Sequence, residues 1–84
     1  MAVAQPPTIT TVVSEFLGSA PTLEEILAFR LPETLEARGL ELLERNRNGE
    51  LTLDERAELE EFTRMGHFMN QVKLQARLKL AGQA

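Results

Sequence analysis

One stretch of this chain combines residue types with the spacing of a metal site: Glu44-Arg45-Asn46-Arg47-Asn48-Gly49-Glu50-Leu51-Thr52-Leu53-Asp54-Glu55. A helix–loop–helix calcium site takes oxygen ligands at loop positions 1, 3, 5, 9 and 12, with glycine at 6 for the sharp turn. With Gly49 at position 6, those ligands become Glu44, Asn46, Asn48, Thr52 and Glu55, and Leu51 supplies the aliphatic residue at 8. The chemistry of the match is poor. Glu44 replaces the short aspartate that begins such loops, two ligands are neutral amides, and Arg45 and Arg47 add positive charge beside the ion. The same residues describe a tight turn between helices. Gly49 supplies the left-handed residue after a helix end. Thr52 caps the next helix, and Glu55 completes a capping box. The turn is the preferred reading, with calcium as the weaker alternative.

Other chemistry has less support. His67 is the single histidine, and its helical neighbours Thr63, Arg64, Asn70 and Gln71 include no imidazole or carboxylate. The His-x-x-x-His and Glu-x-x-His arrangements that hold metals on a helix are therefore absent. Ser14 and Ser19 have no evident base, there is no cysteine, and no glycine-rich phosphate loop occurs. The expectation is a non-enzymatic protein with no cofactor.

The elements that carry these residues read as helices throughout. Residues 1–7, with Pro6-Pro7, read as a disordered lead. Residues 8–13 are β-branched and favour strand by propensity. A lone strand has no partner, however, and Val12, Val13, Phe16 and Leu17 recur at helical spacing. A short helix is expected over 9–17, with Gly18 as its C-cap. Thr22 and Glu25 form a capping box for a second short helix over about 23–29. Pro32 then opens a third, to about residue 47, with Leu35, Leu42 and Leu43 as its apolar stripe. On its outer face Glu41 and Arg45 stand at ion-pair spacing. Gly39 weakens that helix unless another helix approaches closely. The longest segment runs over about 53–80. Its residues Leu59, Phe62, Gly66, Met69, Lys73, Ala76 and Leu80 step alternately by three and four, a seam that Lys73 interrupts. The fold class is all-α: two short N-terminal helices followed by a helical hairpin over 32–47 and 53–80, in a single domain over 8–84.

Charge divides the chain. All thirteen acids lie between Glu15 and Glu61 with five arginines, a charge of −8 over residues 1–61. Beyond Glu61 there is no acid, and Arg64, Lys73, Arg77 and Lys79 give +4. The last helix is also about twice as long as the one before it, so its apolar face outruns its hairpin partner. The N-terminal helices or another subunit must cover the surplus. The expected partner surface is Phe62, Met65, Phe68, Met69 and Val72, rimmed by Arg64, Lys73, Arg77 and Lys79. Its simplest occupant is a second copy in a homodimer, and Met69→Asp is expected to abolish association without harming the helix. Nucleic acid is a less favoured partner. Four cations make a small phosphate footprint, and without Trp or Tyr there is no stacking platform. No apolar run is long enough to span a bilayer. The N-terminus lacks the charged start of a signal peptide, which makes the cytoplasm the expected location.

Five segments together are similar to a group of small uncharacterised bacterial proteins common in cyanobacteria, some encoded near nuclease or toxin-like genes. They are Glu24-Glu25-Ile26-Leu27-Ala28-Phe29, the block Leu42 to Thr52, Glu58-Leu59-Glu60-Glu61-Phe62, His67-Phe68-Met69 and Lys73-Leu74-Gln75-Ala76-Arg77. The resemblance covers about residues 12–80. Its strongest signature is Leu-Leu-x-x-Asn-Arg-x-Gly-x-Leu-Thr over 42–52; Gly66, just before His67, departs from the group's pattern, where a polar or acidic residue is expected. It implies a helical, non-enzymatic partner protein of antitoxin-like or regulatory type.

Overall fold

Four helices follow one another in the computed structural model, which describes residues 8–83: α1 (Ile9–Gly18), α2 (Leu23–Leu27), α3 (Glu33–Arg47) and α4 (Leu53–Gly82). The expected lead over residues 1–7 lies outside the described residues. No strand occurs among those described, so residues 9–13 take the helix that their apolar spacing favours over β propensity.

Local chemistry sets most of the helix ends. The Thr8 hydroxyl accepts from the Thr11 N–H at 3.1 Å and starts α1. Both expected capping boxes form. The Thr22 and Thr52 hydroxyls each accept from the N–H of the glutamate three residues on, at 3.1 Å, and each glutamate accepts in return from the threonine N–H. Gly49 has φ +70. The Glu50 N–H donates to the Arg45 carbonyl at 2.8 Å and the Gly49 N–H to that of Asn46 at 3.1 Å. This is the paired closure of a Schellman turn.

Two ends differ from expectation. Gly18 does not cap α1. It is the last helical residue, Ser19 follows as the cap, and the left-handed conformation falls on Ala20 at φ +57. Pro21 explains part of this, since a residue before proline is pushed out of the right-handed helical region. The second helix stops at Leu27 instead of about residue 29. Phe29 then turns inward, its ring centroid 4.5 Å from that of Phe16.

The long helix α4 organises the rest. At about 1.5 Å per residue it is roughly 45 Å long. It packs against α1, α2 and α3, which touch one another little. Ile9, Val13 and Met69 form the buried centre, with Phe16, Phe29, Phe62, Met65 and Val72 packed around it. Leu35, Leu42 and Ala76 are buried as well. Leu43, expected in the α3 stripe, is instead half exposed. Gly39 does have its close neighbour: a Cβ there would lie 3.2 Å from the Phe62 ring. The expected surplus face of α4 is thus covered largely by α1 and α2.

Candidate interaction surface

The turn residues are engaged with one another. Glu55 Oε1 accepts from the Thr52 N–H and lies 3.1 Å from Arg45 Nη2, while its Oε2 is 3.5 Å from Arg38 Nη2. The Thr52 N–H first, and then the two arginines, hold the Glu55 carboxyl below its ordinary value. Glu44 pairs with Arg47 at 3.1 Å. A calcium loop needs Glu44 and Glu55 turned toward a common ion. Here a guanidinium stands against one and the other faces Arg47. Among the described residues no group of three or more His, Cys, Asp or Glu side chains is placed to hold a metal ion. The geometry is that of the hairpin turn.

Arg38, which the sequence pattern did not single out, is the hub of the hairpin. It grips Glu58 in a fork, Nε to Oε2 and Nη2 to Oε1, both at 2.9 Å. Its Nη1 donates to Glu41 at 2.6 Å. Glu58 is the leading cause that raises the Arg38 pKa above its already high value, so the guanidinium stays charged. The expected Glu41–Arg45 pair does not form, because Arg38 takes Glu41 and Arg45 reaches Glu55. Spacing within α3 permits Arg38 with Glu41 but gives no sign of Glu55 or Glu58, since those depend on which carboxylates α4 brings alongside. Arg45 Nε remains buried without a hydrogen-bond partner, the cost of aiming its far end at Glu55.

The expected partner face is largely internal. Met69 is buried beneath Ile9 and Val13, and Phe62, Met65 and Val72 are half-buried against the same cluster. Of the five apolar residues, Phe68 alone is open to solvent. Met69→Asp would therefore strike the core, so it cannot isolate association from folding. Lys73 is also turned inward: its Nζ donates to the Phe29 carbonyl at 2.9 Å, which explains a lysine within the seam. Arg64, Arg77, Lys79 and His67 are exposed.

Of the large apolar residues that do face solvent, Leu53 stands apart at the start of α4, 85% exposed, and the others form two groups. On α4, Phe68 is 44% exposed, Leu74 48% and Leu78 57%. At about 100° per residue, Leu74 and Leu78 lie roughly 140° and 180° around the helix from Met69. On α3, Leu40 and Leu43 are 61% and 49% exposed. With Leu31, Gly39, Leu59 and Phe62 they line an open groove between α3 and α4, which Glu36 edges. Leu40, Leu74 and Leu78 escape a reading that follows one seam per helix. The signal was present in Leu74 and Leu78, spaced four apart and off that seam.

No family model, curated protein or solved structure matches this chain. Among the described residues no helix is long and apolar enough to cross a membrane.

Proposed function

We propose that the protein is a non-enzymatic helical interaction module that binds another protein through the C-terminal half of α4. The observation that carries this reading is the exposure of Phe68, Leu74 and Leu78 on a helix segment with cations and no acid. Large apolar side chains rimmed by charge are the composition of a protein-binding patch. An antitoxin-like or regulatory role, as the bacterial resemblance implies, fits a module of this kind.

A photo-crosslinking residue placed at Leu78 in cells tests it. Capture of a discrete protein, either a second copy or a different chain, is the expected result. A yield no greater than from the same probe at exposed Ser14 on α1 would remove the reading. Nucleic-acid binding through the basic segment ranks second. Its support is the acid-free stretch, but Lys73 is committed to the Phe29 carbonyl, leaving Arg64, Arg77 and Lys79 to meet phosphate. It requires an affinity for duplex or single-stranded nucleic acid that falls steeply with salt.

A further inference from the structure

Gly66 is an interior helix residue with no intrachain reason to be glycine. Nothing lies within 4 Å of where its Cβ would stand, and its φ is not in the left-handed region. An alanine there would strengthen an exposed helix by about 1 kcal/mol. Gly39 offers the contrast, because the Phe62 ring fills the space beside it. Open space above an exposed glycine is what a second helix needs to approach closely.

The surroundings of Gly66 say which helix fits. Thr63, Gly66, Asn70 and Leu74 follow at spacings of three, four and four along one exposed side of α4. The Thr63 hydroxyl is turned back onto the Leu59 carbonyl at 3.1 Å, which keeps this strip low. At its N-terminal end lies the Leu40–Leu43–Leu59 groove, and at its C-terminal end stand Leu74 and Leu78. The two ends also differ in charge. Glu36 edges the groove and Glu33, Glu44 and Glu60 stand exposed on the same two helices, with Arg47 paired to Glu44. Arg56 and Arg64 are also nearby, yet residues 33–61 hold ten acids against four bases, a charge of −6. The C-terminal end holds Arg77 and Lys79 with no acid. Each end is thus the complement of the other in shape and sign. Both ends are satisfied at once when two copies run antiparallel, with the two-fold axis near the middle of the strip.

The shape of one chain agrees. Its radius of gyration is 15.3 Å and its least dimension 18 Å, whereas a compact domain of this length has a radius of about 12 Å. Among the described residues six apolar side chains are buried, a small core for such a chain, and a second layer would thicken it.

We infer that the occupant of this surface is a second copy of the chain: two α4 helices cross antiparallel at Gly66, and Leu74 and Leu78 of each enter the α3–α4 groove of the other. This rests on the reading of α4 as an interaction surface and names its partner. Light scattering and sedimentation of the purified full chain across concentration and salt provide the test, with Gly66→Leu and Leu74→Glu as variants. The expected result is a wild-type dimer whose association weakens as salt rises. Gly66→Leu should keep its helical circular dichroism, since a Cβ there meets nothing within 4 Å, and should lose at least tenfold in dimer affinity. Leu74→Glu should do the same from the end of the strip. A wild-type chain that stays monomeric overturns the second copy as occupant. If the Leu78 crosslinker still captures a different protein, the interaction-module reading survives that failure. A dimer that tolerates both variants overturns the antiparallel strip and places self-association on another face.

Discussion

The two halves of α4 are held in different ways. The first half, next to the turn, is fastened to α3 by the buried Leu35 and Leu42, by the Phe62 ring over Gly39, and by charge. Arg38 grips Glu58, Arg45 reaches Glu55, and the Thr52 capping box fixes where the helix begins. The second half is held by apolar packing under α1 and α2, with the Lys73 ammonium on the Phe29 carbonyl as its polar clasp. Exposed ion pairs each contribute about 0.2–1 kcal/mol and are screened by salt. Burial of a large side chain contributes about 1.5–3 kcal/mol and is not. The ion pairs beside the turn chiefly fix register, and apolar burial, in both halves but most of all in the second, supplies most of the binding of helix to helix.

Breaking the apolar half should therefore have the largest effect. Met69→Asp puts an unpaired carboxylate beneath Ile9 and Val13, where burial of a charge is very costly. The variant is expected to lose its cooperative thermal transition in circular dichroism at pH 7. A clear transition within a few degrees of wild type would remove Met69 from the core. The two glycines give the next contrast. Gly39→Leu must displace the Phe62 ring and should lower stability by about 1–3 kcal/mol in urea melts. Gly66→Ala in dilute protein should raise it by about 1 kcal/mol. Equal effects at the two positions would contradict the packing of Phe62 over α3.

In the half beside the turn, Thr52→Ala removes the hydroxyl that caps α4 and should cost about 1 kcal/mol in the same melts. Thr22→Ala should cost less, because α2 has only five residues and buries none of them fully. The smallest effect should be that of acid. The carboxyl of Glu55 is held below its ordinary value of 4.5, chiefly by the Thr52 N–H and then by Arg45 and Arg38. Glu25 is lowered by the Thr22 N–H and hydroxyl. A carboxyl lowered on folding contributes stability that is complete above its unfolded value and is lost as the pH falls through the folded one. The urea midpoint should thus hold from pH 7 to about 5 and decline below about 4.5. Glu55→Gln should flatten that decline, and an unchanged decline would detach Glu55 from it.

Residues close together along the chain settled the helix count, both capping boxes and the turn at Gly49. Each follows from hydrogen bonds between neighbours three to five residues apart, such as Glu55 to Thr52 and Glu50 to Arg45. Those interactions form wherever the rest of the chain lies. Which face of α4 is covered could not be read in this way. Phe62, Met65, Met69 and Val72 are apolar at helical spacing whether α1 lies over them or another protein does. The answer depends on residues far apart in sequence, as in Thr10 on Glu61 across 51 positions and Lys73 on Phe29 across 44. Tertiary packing likewise gave Arg38 its partners Glu55 and Glu58 on α4 and left Leu40, Leu74 and Leu78 outside. Pattern alone marks a side chain as apolar; only the placement of distant segments decides whether it is core or surface.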